Sequence, residues 1–230
     1  MIEAILFDVD GTLAETEELH RRAFNETFAA LGLDWFWDRE EYRELLTTTG
    51  GKERIARFLR HQKGDPAPLP IADIHRAKTE RFVALMAEGE IALRPGIADL
   101  IAEAKRAGIR LAVATTTSLP NVEALCRACF GRPAREVFDV IAAGDMVAEK
   151  KPSPEIYRLA LRELGVPPDR AVALEDSLNG LRAAKAAGLR CIVSPGFYTR
   201  HEEFAGADRL VDSFAELGGL AGLDLTAPVA

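Results

Sequence analysis

"FDVDGTLAET", residues 7–16, decides the fold. The run it completes, EAILF (3–7), is short and mostly aliphatic, as a strand buried on both faces requires. Asp8 ends that run, Asp10 follows two residues later, and Gly11 lets the chain turn. Two carboxylates are thereby placed together at the mouth of a sheet. A D-x-D-G segment could also open a calcium loop, but an EF-hand puts its glycine sixth and an acid twelfth between two helices. Here the glycine is fourth and a strand precedes it.

Further along the chain, RLAVA (110–114), AVAL (171–174) and CIVS (191–194) repeat the pattern, and DVIAA (139–143) adds a fifth strand. Helix-period segments separate them. One helix start is marked by Ser153 as N-cap, Pro154 in the first turn and Glu155 at the positive end of the dipole. One helix end is marked by Gly188 in AAKAAGLR. Alternating strand and helix predicts an α/β fold with a doubly wound, Rossmann-like parallel sheet, its ligand site at the carboxyl ends of the strands.

One segment breaks the alternation. From Thr16 to about Gly89 apolar residues recur at helical spacing, in ELHRRAFNETFAAL (18–31) and IADIHRAKTERFVALM (71–86), with the proline-rich KGDPAPLP (63–70) between them. The expectation is a catalytic core of residues 1–15 and 90–230 with an inserted helical cap of residues 16–89. LRPG (93–96) marks the return to the core, and GLAGLDLTAPVA (219–230) reads as a fraying end.

Composition excludes several classes. The 230 residues are 48% hydrophobic and 28% charged, with a net charge of -7, which argues against a general nucleic-acid binder. No apolar run is long enough to cross a bilayer, and EAILFDVDGT follows the first residues without a signal or transit pattern, so a cytoplasmic protein is expected. Three cysteines are an odd number, and Cys126 and Cys129 lie three apart on one helical face, which favours buried thiols over a disulfide or zinc site.

The other strand ends carry partners for the two carboxylates. RLAVA is followed by Thr115, Thr116 and Thr117, hydroxyls and amides at a helix start that suit a phosphate. Lys150 and Lys151 precede PSPEIY, and Glu175 and Asp176 follow AVAL. Carboxylate pair, hydroxyl, lysine and carboxylate pair in this order on an α/β chain make a candidate phosphoryl-transfer site. Position alone leaves Lys150 or Lys151, and Thr115 or Thr116, open.

In these motifs, D8-V-D10-G-T, Thr115, Lys151 before PSP, and E175-D176, the chain resembles the haloacid dehalogenase (HAD) superfamily of phosphotransferases, over essentially its whole length. LAETEELH (13–20) and GGKERI (50–55) make it similar to CbbY-type sugar bisphosphate phosphatases of the β-phosphoglucomutase-like subfamily. The resemblance implies that Asp8 is the nucleophile and Asp10 the general acid/base. It implies that Thr115 and the Thr116 amide hold the phosphoryl group and that Lys151 neutralises charge. Mg²⁺ would be bound by Asp8, the Asp10 carbonyl and Asp176, with Glu175 acting through water. A carboxylate attacking an anion needs such cations, because each like-charge pair at 4 Å costs roughly 4 kcal/mol at an effective dielectric of 20.

The leaving group is expected to meet cap residues: Glu17, His20, Tyr42, Gly51, Lys52, Arg54 and Arg76. In TTTGGKERIARFL (47–59) the glycines leave amides free beside Lys52 and Arg54, fitting a second phosphate, whereas Arg57, Arg60 and His61 are expected to face water. The resemblance implies a small sugar phosphate as substrate, with xylulose 1,5-bisphosphate leading; a monomer with no nucleic acid or membrane partner is expected. A β-phosphoglucomutase-like mutase is the alternative, although Gly50 stands where that family carries a lysine. An inactive binding module is the remote one.

Overall fold

The computed structural model describes residues 2–61, 70–89 and 91–223. Six strands form one parallel sheet: β1 (Ala4–Phe7), β2 (Arg110–Ala114), β3 (Val140–Ala142), β4 (Ala171–Glu175), β5 (Arg190–Val193) and β6 (Arg209–Leu210). Their order is β3-β2-β1-β4-β5-β6. The chain winds outward in both directions from the β1/β4 boundary, so the crevice of a doubly wound sheet falls at the carboxyl ends of those two strands. Asp8 lies just past β1, and Glu175 ends β4.

The helices are α1 (Glu17–Ala30), α2 (Arg39–Leu46), α3 (Gly51–His61), α4 (Ile71–Glu88), α5 (Ile97–Arg106), α6 (Leu119–Phe130), α7 (Ala134–Val137), α8 (Glu155–Leu164) and α9 (Leu178–Ala186). Both faces of the sheet are covered, and strand alternation sorts residues by size. Ile5, Phe7, Leu111, Val113, Val172 and Leu174 face α5 and α6. Ala4, Ala112, Ala114, Ala171 and Ala173 face α8 and α9, letting those helices approach closely. The runs read as buried strands are therefore apolar at their inner positions, with polar residues such as Glu3, Arg110 and Ser194 only at their ends.

Between β1 and α5 come four helices and no strand among the described residues. They enclose an aromatic cluster of Phe24, Phe28, Trp37, Tyr42 and Phe58, which Tyr198 joins from a loop beyond β5. Phe82, Leu85 and Met86 of α4 instead pack into the sheet's own core. The entering and returning segments run side by side: Ala14 bridges Leu93, and Arg94 N donates to Leu13 O at 2.8 Å.

Two local expectations shift. The α8 helix begins at Glu155, so its N-cap is Pro154 and not Ser153, although Ser153 Oγ still accepts from Glu155 N at 3.4 Å. Part of the expected fraying tail is ordered: Leu220–Leu223 forms a 3-10 turn with Leu223 buried, because Leu223 has core to pack against. The rest of that tail, and all of KGDPAPLP except Pro70, lie outside the described residues. Strand β6 has only two residues and no pattern that could have announced it. Cys126 and Cys129 are free thiols on α6, and burial pushes Cys126 up to about 12.

Candidate active site

The strand ends open into a cleft whose far wall is the helical insert. At its floor, Lys151 Nζ lies 2.6 Å from Asp8 Oδ1 and 2.6 Å from Glu175 Oε1. The lysine is 3% exposed and Glu175 fully buried, so this is a charge network held away from water. Tyr157 supports it from α8, donating its hydroxyl to Glu175 Oε1 at 2.6 Å with its ring 5.0 Å from Lys151 Nζ. Lys150 points elsewhere and donates to the carbonyls of Gly144 and Val147. The structure thus brings Lys151, and not Lys150, to Asp8.

Asp8, Glu175 and Asp176 each place one carboxylate oxygen within 4.8 Å of the others, all buried. Burial raises Asp8, Lys151 opposes it and Glu175 adds to it, leaving that carboxyl pushed up to about 7. Burial likewise raises Asp176, with Asp8 and Glu175 adding repulsion. Three acids beside one ammonium leave negative charge uncompensated, and oxygen donors of this kind fit a hard divalent cation. The Asp10 carboxylate is not one of the three.

Asp10 is engaged by the insert. Thr16 donates to Asp10 Oδ1 at 2.5 Å, and His20 Nε2 lies 3.0 Å from the same atom. Burial alone would raise the Asp10 carboxyl, but His20 and Thr16 hold it well below the usual carboxylate range. His20 continues to Lys78, whose Nζ is 2.5 Å from His20 Nδ1. Burial, then Lys78, pushes His20 down, so the ring is neutral and its Nε2–H donates to Asp10.

Thr115 and Thr116 line the cleft at the end of β2. Thr115 Oγ1 accepts from Thr117 N at 3.2 Å, which curls the loop toward the start of α6. Glu17, Gly51, Lys52 and Arg54 line the opposite wall. Lys52 is half-exposed and reaches across to Asp145 at 3.3 Å. Arg54 is buried; its Nη1 donates to Tyr42 Oη at 3.0 Å, and its Nε has no partner among the described residues.

Three expectations are corrected. Tyr42 does not line the cleft: it is buried behind the wall, donating to Glu17 Oε2 at 2.6 Å and accepting from Arg54. Arg76 is exposed and paired with Asp73 and Glu80 on its own helix. Helical phase explains this, because His75 and Lys78, three apart, share the cleft face of α4 and Arg76 is turned off it. Arg57 is half-buried and donates to the hydroxyls of Thr47 and Thr48, while Arg60 and His61 are exposed as expected.

Lys78, His75 and Arg43 reach the cleft without having been anticipated as site residues. Lys78 sits in HRAKTE, which reads as the solvated side of an amphipathic helix. Only the packing of α4 against α1 reveals it.

A parallel sheet with its acids at the switch point, a lysine between two of them and a helical insert over the strand ends defines a phosphoryl-transfer fold of the HAD type. The model of the haloacid dehalogenase-like hydrolase family matches residues 2–188, and the chain belongs to that family. It is a phosphatase enzyme. It is 96% identical over 230 residues, the whole of both chains, to Protein CbbY of Cereibacter sphaeroides. Among solved structures it matches CbbY from Rhodobacter sphaeroides in complex with phosphate, at 96% identity and a TM-score of 0.95, covering 97% of this chain and 100% of that one. A D10N mutant of that protein, in complex with xylulose-(1,5)bisphosphate, matches with the same identity, coverage and TM-score.

Proposed function

We propose that the chain is a Mg²⁺-dependent phosphatase that hydrolyses a small sugar bisphosphate, xylulose 1,5-bisphosphate first among them, through an aspartyl-phosphate on Asp8. The observation that carries this reading is the pairing of Asp8 with Lys151 at 2.6 Å in a cleft whose other wall presents Lys52, Arg54 and Lys78. The bisphosphate bound by the D10N relative supports the choice of substrate.

In this reading the three carboxylates would hold Mg²⁺, which when bound supplies positive charge to the phosphoryl oxygens and keeps Asp8 ionised. Lys151 adds a second cation at Asp8. Thr115 and the Thr116 amide receive the phosphoryl oxygens. Asp8 attacks phosphorus, forming the acyl-phosphate bond as the ester bond breaks, and Asp10 gives its proton to the leaving oxygen. Asp10 then takes a proton from the water that releases phosphate, returning Asp8 to its starting state. Asp10 must be protonated for this, whereas its contacts with His20 and Thr16 favour the carboxylate, so those contacts have to change when substrate binds.

Residues 16–89 act as a cap over a core of 1–15 and 90–230. Their own aromatic cluster supports this division, as does the side-by-side pairing of Ala14 and Leu93 at the two crossings.

Phosphate release from a panel of pentulose and pentose bisphosphates and monophosphates tests the reading. Highest kcat/KM for a bisphosphate is expected. Equal or better turnover of monophosphates would remove the second-phosphate role, and isomerised glucose 1-phosphate without free phosphate would favour a mutase.

A further inference from the structure

Arg94 has no part in the reaction outlined above, yet its side chain is 9% exposed and its donors are nearly all used. Nη1 donates to Gly11 O and, at 2.7 Å, to Ser194 O. Nη2 donates to Ser194 Oγ at 2.8 Å and to Pro195 O at 3.1 Å. Its Nε faces Glu15 at 3.7 Å, and the guanidinium stands 5.4 Å from the centre of the Phe214 ring. The four acceptors belong to two loops, one following β1 and one following β5.

Those same loops enclose Asp176. Gly11 has a φ of 87°, and a Cβ there would collide with the Asp176 carboxylate. A Cβ on Gly196 would lie 2.9 Å from Asp176 Oδ2 and 3.4 Å from Gly11 Cα. Thr199 Oγ1 accepts from Gly196 N at 2.8 Å and donates to Asp176 O at 2.7 Å. The carboxylate therefore fits a slot between two glycine backbones, and one guanidinium sets their separation.

We infer that Arg94 is a positioning residue for Asp176, fixing the metal-holding carboxylate through the Gly11 and Ser194–Gly196 backbones. The planar fork of five donors spans both loops at once, which the single ammonium of lysine does not. This rests on the reading of Asp8, Glu175 and Asp176 as the metal-holding group.

Calorimetric titration of Mg²⁺ into chelator-stripped wild type, R94K, R94M, S194A and D176N, with thermal melts of each, tests it. R94K and R94M are expected to bind Mg²⁺ about tenfold more weakly or worse, within the roughly 10–100-fold that outer-shell partners cost. S194A, which leaves the guanidinium but removes one acceptor, shifts in the same direction by less. Excess Mg²⁺ restores kcat of R94K with KM for substrate unchanged. If R94M fails to fold, R94K and S194A decide. A lower Tm with wild-type Mg²⁺ affinity in R94K overturns the inference, leaving Arg94 a structural clasp. If D176N binds Mg²⁺ as well as wild type, the metal reading itself fails and this inference with it. Loss of binding in D176N alone, with R94K unchanged, defeats only the Arg94 assignment.

Discussion

Lys78 Nζ lies 2.5 Å from His20 Nδ1, and both side chains are buried. An ammonium donating to Nδ1 leaves the ring neutral, with its proton on Nε2 directed at Asp10, 3.0 Å away. A charge on the helical insert is thus coupled to a carboxylate of the sheet by one imidazole. Lys78→Met would break this chain without opening a large cavity. It is expected to lower kcat by about tenfold, part of the roughly 10²–10⁴ that general acid–base catalysis supplies. Unchanged kcat in steady-state phosphate release would remove Lys78 from the step.

The same lysine should leave a mark on stability. Burial, then the charge of Arg54, lowers Lys78 from 10.5 to about 7. Between those values the unfolded chain binds the proton more readily than the folded one, so stability rises with pH there and falls as pH drops toward 7. K78M lacks this penalty. Its stability relative to wild type should therefore grow as pH is lowered from about 10 to about 7 and level off below. At about 1.36 kcal/mol per pH unit the gain is bounded by about 5 kcal/mol. Urea melts at several pH values measure it, and a difference independent of pH would mean that burial does not lower Lys78.

Lys151 and Lys150 are neighbours with different fates. Lys151 Nζ is within 2.6 Å of two acids, whereas Lys150 serves two backbone carbonyls. K151M is expected to lower kcat by about 10²–10³, the effect of removing one preorganised charge donor. It also leaves Asp8 and Glu175 buried without their cation, at a cost of about 3–5 kcal/mol if both stay ionised. K150M should lose far less turnover. Comparable losses in phosphate release would mean that the assignment between the two is wrong.

Arg76 provides the opposite contrast. Its partners Asp73 and Glu80 are exposed on the same helix, where solvent screens the pairing and it adds little to stability. R76A should match wild type in kcat/KM and nearly in Tm. A large fall in kcat/KM would return Arg76 to the cleft.

The sheet was legible because burial on both faces makes the interior of a strand apolar, as in AILF and the LAVA of RLAVA. Asp8, Thr115, Glu175 and Asp176 were legible because each follows or ends such a run, and Lys151 because it precedes a marked helix start, although position alone left Thr115 or Thr116, and Lys150 or Lys151, open. The insert follows no such rule. Tyr42 lies within the buried cluster and Arg54 beside it, and which of them faces the cleft depends on how α2 and α3 cross. Arg76 and Lys78 differ by two positions on one helix, where only its rotation against α1 distinguishes surface from site. Arg94 gave no signal, since its partners are mostly backbone atoms brought from both ends of the chain.

Arg54 is buried with one donor, Nε, unpartnered among the described residues, while its Nη1 donates to Tyr42, which Glu17 in turn holds. A buried guanidinium in that state is ready to receive an anion, and the proposed substrate's second phosphate supplies one. Hydrogen bonds to charged groups contribute roughly 1.5–3 kcal/mol, or about 10–100-fold in kcat/KM. R54A should lose that factor toward a bisphosphate while hydrolysing 4-nitrophenyl phosphate, which has no second phosphate, at close to the wild-type rate. R54K should recover little, because an ammonium cannot donate to Tyr42 and to phosphate in the same fork geometry. Parallel measurements of kcat/KM on the two substrates decide the matter. If both fall together in R54A, with its Tm also lowered, Arg54 supports the fold of the insert and does not select the substrate.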